Sequence, residues 1–224
     1  MKENRANAPE ETIMQFSFLE DLDEYFCEKY ANYDKLCILD GYEMPVMQAT
    51  KLDEFGRTYA YTLPAETMRL SLQKNKTELL KQLKTKLTDK SFSFSFRPLS
   101  FWEKISEVFA KITFKKEFEK LLGRYNLTPE QAKNGLDVDE QIWNSIVKGG
   151  AHPTKNLIFS FALVQHISLK DTNRLLAVCG HGLDFTQEKD VVVSYLLANS
   201  VFNADMVASA LQEYHIDNLF IKAE

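Results

Sequence analysis

The chain opens with a helical pattern of apolar residues. From Thr12 onward, apolar side chains recur every three or four positions, which is the spacing of one face of an α-helix. The members of this stripe are Ile13, Phe16, Leu19, Leu22, Phe26 and Tyr30. Residues 1–11 before it are polar and charged, so we expect them to form a disordered tail.

The pattern then changes from helical to extended. Two apolar runs flank the turn dipeptide Asp40-Gly41, so residues 36–44 are predicted to form a hairpin. Residues 57–63 alternate aromatic and polar side chains and predict a third strand that ends at Pro64. The sequence therefore predicts a small α+β domain over residues 12–100.

Residues 65–88 return to a helical pattern, and the exposed side of this predicted helix is unusually basic. Its apolar stripe comprises Met68, Leu72, Leu79, Leu80, Leu83 and Leu87. Lysines crowd the other positions, namely Lys74, Lys76, Lys81, Lys84, Lys86 and Lys90. Such a face is either an ordinary solvated surface or a contact for phosphates or an acidic partner.

Residues 91–96 read Ser-Phe-Ser-Phe-Ser-Phe, a strict alternation that places three phenylalanines on one face. This segment is either a strand or an extended strap across an apolar groove. We expect it to be a seam between two halves of the protein, because a fully exposed row of phenylalanines would be poorly soluble. Ser100 and Glu103 then have the spacing of a capping box and predict a helix over residues 101–111.

From Thr113 to Gly182 the pattern predicts five short helices. Thr128 and Ser168 are suitable N-caps, Pro129 suits a first helical position, and Gly135 suits a helix end. The predicted ranges are 114–125, 129–134, 139–148, 155–166 and 169–178. Two further helices are predicted at 189–198 and 204–214, so the domains expected after the α+β part are 101–182 and a helical extension at 183–224.

Several residues of this segment resemble the lambda-repressor or Cro-type helix-turn-helix domain. Residues 127–132, with Leu127, Thr128 and Ala132, match the start of the family's second helix, and residues 135–138, with Gly135, Leu136 and Val138, match its turn. Ile142 and Ile146 match the buried side of the third helix, and residues 149–154 match the link to the fourth. The resemblance covers about 70 residues, and residues 183–224 resemble the tail that follows degenerate modules of this type in bacterial proteins.

In that family the third helix enters the major groove of DNA. The resemblance therefore implies that DNA is contacted by Gln141, Asn144, Ser145, Lys148 and Lys155, with support from the lysines of residues 74–90. Two carboxylates at the front of this helix, at positions 139 and 140, depart from the pattern because they would face phosphates of the same sign. The alternative is that the fold serves as a scaffold that binds or inhibits a protein partner without binding DNA.

Composition and charge constrain the fold class and the extent of DNA contact, but they agree with either a DNA or a protein partner. Glycine and proline together make 14 of 224 residues, which favours a mainly helical fold. The net charge of -5 excludes a uniformly basic surface. Residues 113–182 nevertheless carry nine basic and seven acidic groups, so local DNA contact is permitted. A single module cannot easily supply the roughly 6 to 10 phosphate contacts of useful affinity. DNA binding would therefore need either the lysine-rich helix of residues 65–90 or a second protomer in a homodimer.

No catalytic or metal-binding signature is found in the sequence. Cys179 and His181 are two residues apart, but they fall at the end of a predicted helix, where a buried thiol and a turn histidine explain them better than a catalytic pair. Three unpaired cysteines and the lack of a long apolar run favour a cytoplasmic protein without a membrane segment. We expect a non-enzymatic bacterial or phage protein, without metal or cofactor, that regulates transcription or an antiviral defence or stress system.

Overall fold

The computed structural model describes residues 10–44, 48–62, 69–87, 93–103 and 112–222. Their fold is mainly helical, as predicted, with two small two-stranded antiparallel sheets. The chain forms two compact units. Unit 1 contains the described parts of Met1–Leu87 together with Asp184–Val192, and unit 2 contains those of Thr88–Leu183 together with Val193–Glu224. Within the described ranges, no helix has both the length and the apolar character needed to cross a bilayer.

Unit 1 is built around a long helix. Its helical elements are α1 (Glu10–Lys29), α2 (Tyr33–Leu36), a 3-10 turn (Leu70–Leu72) and α3 (Lys76–Lys86). The predicted disordered tail lies outside the described residues except for its last two positions, which already belong to α1. The buried side chains of this unit include Phe18, Leu22, Phe26, Tyr30, Leu36, Leu39, Leu70, Leu79, Leu83, Val191 and Val192. Of the apolar stripe predicted for the first helix, Leu22, Phe26 and Tyr30 are buried in this core, and Leu19 is half-buried.

The hairpin predicted over residues 36–44 is wrong. Asn32 caps the short helix α2 by accepting a hydrogen bond from the Lys35 amide at 3.1 Å, and turns follow it. Leu36 and Leu39 are both buried. Because they are three residues apart, a helical turn brings both to the core, whereas a strand would point them to opposite faces. Only the turn was predicted correctly, since Gly41 adopts a φ of 83°.

The third predicted strand is confirmed, but its partner differs from the expected one. Strand β2 (Thr58–Thr62) pairs antiparallel with β1 (Gln48–Leu52), and Thr50 lies opposite Ala60. The turn between them is held by Asp53, whose carboxylate accepts hydrogen bonds from the amides of Phe55 and Arg57 at 2.8 Å each. The predicted end of this strand, at Pro64, lies outside the described residues.

The lysine-rich helix is shorter than the predicted range of 65–88. The 3-10 turn and a bend precede it, so α3 itself begins at Lys76. At the interruption, the Gln73 side chain accepts a hydrogen bond from the Glu43 amide at 3.0 Å and donates one to the Glu43 carbonyl at 2.7 Å. These long-range contacts hold the bend before α3 against residue 43. Residues 63–68 and 88–92, including Lys90, lie outside the described part.

The five helices predicted between residues 113 and 182 are confirmed to within two residues. They are α4 (Phe114–Tyr125), α5 (Pro129–Lys133), α6 (Glu140–Val147), α7 (Lys155–Val164) and α8 (Leu169–Val178). The caps predicted at Thr128 and Ser168 are formed, and Thr128 makes a complete capping box with Gln131. The last helices are α9 (Glu188–Ala198), which is divided between the two units at Val192, and α10 (Ala204–Glu213).

The core of unit 2 is an aromatic cluster between α4, α6 and α7. The Phe118 ring lies 5.9 Å from the ring of Trp143 and 5.4 Å from that of Phe161. The Trp143 indole donates a hydrogen bond to the Pro129 carbonyl at 2.9 Å, which joins α6 to the first residue of α5. Helix α6 is thereby fixed by its buried side, and its opposite side faces outward.

A two-stranded sheet with three residues in each strand joins the segment before residue 100 to the helices. Strand β3 (Phe96–Pro98) pairs antiparallel with β4 (Ala151–Pro153), which lies in the predicted link between α6 and α7. The extended segment of residues 93–98 therefore lies along the helical unit as a strap. The seam predicted for residues 91–96 is wrong at Phe94, whose side chain is exposed, and residues 91–92 lie outside the described part.

The turn before α6 is covered by the end of the described chain. The Asp137 amide donates to the Phe220 carbonyl, and the Lys222 amide donates to the Gly135 carbonyl, both at 2.9 Å. Gly135 has a φ of 78°, and a Cβ there would lie only 2.6 Å from Val164. A side chain at this position would therefore be strained and would clash, which explains why the turn contains glycine.

Candidate functional site

The outward side of α6 carries three of the five residues implied in DNA contact. Gln141, Asn144 and Lys148 are exposed, and their spacing of three and four residues places them on one stripe of the helix. Trp143 and Ile146 are buried on the opposite side. We refer to Gln141, Asn144 and Lys148 as the polar stripe.

The other two implied residues lie away from the polar stripe. Ser145 is half-buried and faces the glycine that follows α6: its hydroxyl would lie 3.0 Å from a Cβ at Gly150. Lys155 is half-buried at the start of α7, and its ammonium group lies 5.7 Å from the centre of the Phe159 ring. The structure thus brings together three of the five residues and places the other two outside the stripe.

The two carboxylates at the front of α6 both have local structural roles. Asp139 is the N-cap, and its side chain accepts hydrogen bonds from the amides of Gln141 and Ile142 at 2.7 and 3.2 Å. Glu140 forms a salt bridge with Lys133 and accepts a hydrogen bond from the Asn144 side chain at 3.3 Å. The hydrogen bond with Lys133 holds the pKa of Glu140 below its usual value. Glu140 therefore stays charged at neutral pH.

The stretch of sequence that contains the polar stripe has a net negative charge. The acidic residues between positions 127 and 148 are Glu130, Asp137, Asp139 and Glu140, and the basic ones are Lys133 and Lys148. One of the two lysines is already paired with Glu140. The carboxylates of this stretch would repel the phosphates of a DNA groove.

Several of the supporting lysines bind groups of their own unit. Lys76 pairs with Glu24 at 2.6 Å, and the hydrogen bond raises the pKa of Lys76. Lys84 pairs with Asp23 at 2.6 Å, and Lys86 donates to the Ile38 carbonyl at 3.1 Å. The acidic side of α1 thus neutralises part of the basic side of α3.

The remaining supporting lysines are less constrained. Lys74 and Lys81 are exposed, and Lys90 lies outside the described residues. The lysine-rich face that the sequence predicts is therefore a surface in which some charges contact solvent and others hold α3 against α1.

Sequence reasoning missed an exposed aromatic pair in unit 2. Phe101 and Trp102 are 71% and 76% exposed, and their ring centres lie 5.7 Å apart in an edge-to-face arrangement. We call these two residues the aromatic pair. In the sequence, the pair is visible as a phenylalanine and a tryptophan directly after a capping serine. Their exposure could not be predicted, because an amphipathic helix is expected to bury at least one of two such residues.

The aromatic pair follows a segment that is firmly attached to the helices. Besides the β3–β4 pairing, the Thr154 amide donates to the Ser95 carbonyl at 3.0 Å, and the Asn156 side chain donates to the Ser93 hydroxyl at 2.8 Å. Leu99 is buried immediately before the capping serine. These contacts fix the strap up to the residue that precedes the pair.

The predicted capping box next to the aromatic pair is confirmed. The Ser100 amide donates to the Glu103 carboxylate at 2.8 Å, and the Glu103 amide donates to the Ser100 hydroxyl at 3.3 Å. Arg97 also pairs with Glu103 at 2.8 Å. The backbone bond from Ser100 and the hydrogen bond from Arg97 lower the pKa of Glu103 to about 2. Charged groups thus fix the backbone on both sides of the exposed rings. Residues 104–111, the rest of the helix predicted here, lie outside the described part of the chain.

The polar groove between α4 and α8 lies beside contacts that hold these two helices together. Its volume is about 630 Å³, and it is lined by Glu117, Lys120, Gly123, Arg124 and Arg174. The neighbouring Asp171 is buried and binds Arg124 at 2.7 Å and the Tyr125 hydroxyl at 3.0 Å. These contacts satisfy the buried carboxylate and tie the two helices together.

Of the three cysteines, Cys27 is buried, Cys37 is exposed and Cys179, where a buried thiol was expected, is half-buried. Burial raises the pKa of the Cys27 thiol to about 12, and the nearby carboxylates of Asp23 and Glu24 add to the shift. Such a thiol is a poor nucleophile at neutral pH. In the described ranges, no group of three or more His, Cys, Asp or Glu side chains is arranged to hold a metal ion.

No family model matches the chain, and neither the curated proteins nor the solved structures include a match to it.

Proposed function

We propose that this chain is a non-enzymatic adaptor or inhibitor that binds a protein partner through the aromatic pair. The observation that carries the proposal is the exposure of Phe101 and Trp102 directly after an anchored strap. Large exposed aromatic side chains are uncommon on surfaces that face only water, and tryptophan is among the residues that contribute most to protein interfaces.

The surroundings of the pair suit an interface. Arg97 and Glu103 form an ion pair beside the rings, which supplies a polar rim. The strap is held by backbone pairing, so little conformational entropy is lost when the rings are covered. The partner that fits this surface is a protein with an apolar pocket bordered by polar groups.

The charge distribution favours a protein partner over DNA. Residues 127–148 carry more carboxylates than lysines, and several supporting lysines pair within unit 1. In this proposal the helices of residues 113–182 serve as a scaffold. Their resemblance to the Cro-type helix-turn-helix remains part of the proposal.

Affinity capture with the full-length chain tests the proposal. The double variant Phe101→Ser/Trp102→Ser is compared with wild type and with Leu72→Ser, whose side chain is 60% exposed in unit 1. Quantitative mass spectrometry of host lysates should find proteins that wild type and the Leu72 variant retain and the double variant loses at least about tenfold. Equal recovery by all three would refute the role of the aromatic pair.

DNA binding is the second candidate function, because the polar stripe presents two amides and a lysine along one helix face. Amides of this type can read adenine edges. Fluorescence anisotropy with duplex DNA at about 50 and 200 mM salt tests it. If the stripe reads DNA, Gln141→Ala and Asn144→Ala should each weaken binding about tenfold, while Gln212→Ala, at an exposed glutamine of α10, should not. Negligible binding at the lower salt would eliminate this candidate.

A further inference from the structure

Between Thr50 and Ala60, the hairpin of β1 and β2 projects most of its side chains into solvent. Every described side chain from Thr50 to Ala60 is exposed except that of Asp53, which is half-buried. Leu52 and Phe55 are 65% and 79% exposed. A two-stranded hairpin alone is only marginally stable in water, so this one would gain stability from a further strand.

Strand β2 has an outer edge that can accept such a strand. Among the described strands, β2 pairs only with β1. The Asp53 amide donates to the Arg57 carbonyl at 2.9 Å, which makes these two residues a hydrogen-bonded pair of the ladder. Because such pairs alternate in an antiparallel ladder, the backbone groups of Thr58, Ala60 and Thr62 point away from β1.

The sequence of β2 is the same in both directions. Residues 58–62 read Thr-Tyr-Ala-Tyr-Thr, with Ala60 at the centre. An antiparallel pair of two such strands, related by a two-fold axis at Ala60, places threonine opposite threonine, tyrosine opposite tyrosine and alanine opposite alanine. Matched threonine pairs and matched aromatic pairs are favourable across strands. A two-fold interface requires this kind of self-complementarity.

The two edges of the hairpin differ in charge and symmetry. Strand β2 contains no charged residue, so its self-pairing opposes no like charges. Strand β1 contains Lys51, and lysine on an edge strand is a common protection against unwanted pairing. Self-pairing of β1 about Thr50 would also oppose Gln48 to Leu52, which are not matched. The occupant that fits β2 best is therefore the β2 strand of a second copy.

From this edge geometry we infer that two copies of the chain associate through antiparallel pairing of β2 with β2, forming a continuous four-stranded sheet. The inference concerns unit 1 only and does not depend on the proposed function. Five paired residues bury less than the roughly 1,200 Å² of a stable interface. The dimer is therefore weak, with a dissociation constant on the order of 10 to 100 µM.

Sedimentation velocity on the full-length chain tests the inference at concentrations from about 5 to 500 µM. The test variant is Ala60→Pro, because the Ala60 amide points away from β1 and its loss removes no bond within the hairpin. The matched control is Thr50→Pro, since Thr50 lies opposite Ala60 and its amide points to the other edge. We expect wild type and Thr50→Pro to dimerise, and Ala60→Pro to raise the dissociation constant at least about tenfold.

A charge exchange keeps the test decisive if proline disturbs folding. Ala60→Lys and Ala60→Glu should each be monomeric, because like charges would lie opposite one another in the dimer. An equimolar mixture of the two should recover the dimer. Wild type that stays monomeric up to about 500 µM would overturn the inference. Equal weakening by Ala60→Pro and Thr50→Pro, or no recovery in the mixture, would also overturn it.

Discussion

The lysine-rich helix α3 and the aromatic pair of unit 2 use conspicuous surface residues in opposite ways. On α3, charges that could attract an outside partner are bound within unit 1, as in the pairs of Lys76 with Glu24 and of Lys84 with Asp23. The rings of Phe101 and Trp102 contact each other and remain mostly exposed. The sequence therefore identifies side chains that are able to bind a partner. The structure then shows which of them already contact a group of their own unit.

The largest expected difference in the free energy of unfolding is between variants of a buried aromatic residue and variants of the aromatic pair. Phe118 is buried against Trp143 and Phe161, so Phe118→Ala should lower the free energy of unfolding by about 3 to 5 kcal/mol. Phe101→Ala should change it by less than about 0.5 kcal/mol, because most of that ring already contacts water. Urea unfolding followed by circular dichroism measures both. A cost above about 2 kcal/mol at Phe101 would mean that its ring is structural.

A smaller difference is expected within α3. Lys84→Ala should lower the free energy of unfolding by about 1 kcal/mol, because it leaves the partly buried Asp23 carboxylate without this partner. Lys81→Ala is the matched control on the same helix, and it should have an effect close to zero because Lys81 is exposed. If the two variants unfold alike in urea, the internal pairing of the lysines contributes nothing and the contrast with the aromatic pair weakens.

The smallest expected effect concerns the charge beside the aromatic pair. The pKa of Glu103 is lowered to about 2, so its contacts with Ser100 and Arg97 stabilise the folded state above the ordinary glutamate pKa and are lost as the pH falls through about 2. Carbon NMR of the Glu103 carboxyl group should therefore find it ionised at pH 4. The variant Arg97→Gln should raise this pKa while the backbone bond from Ser100 remains. A Glu103 pKa near the ordinary value of 4.5 in wild type would contradict these contacts.

Local signals explain what could be predicted from the sequence. The helices of residues 113–182 were predicted to within two residues because Thr128, Pro129 and Ser168 act on their own first turns. The capping box at Ser100 was predicted for the same reason. Of the residues assigned to DNA contact, Gln141, Asn144 and Lys148 do share one exposed stripe, since helical spacing alone determines that.

Long-range contacts explain what could not be predicted. The pairing of β3 with β4 joins residues more than 50 positions apart, and three residues per strand are too few to give a pattern. The ion pairs between α1 and α3 depend on how two helices pack, so the sequence could not tell which lysines they occupy. The hairpin predicted at 36–44 failed because the capping side chain of Asn32 and the burial of two leucines outweighed a local turn signal.

Site-specific photocrosslinking tests the central claim most directly. A photoreactive phenylalanine analogue is placed at Phe101, at Gln141 on the polar stripe, or at Leu72 as an exposed control, and the full-length chain is irradiated in cells of its host. The account predicts protein adducts from position 101 and far fewer from positions 72 and 141. Adducts with DNA from position 141, together with none from position 101, would contradict it.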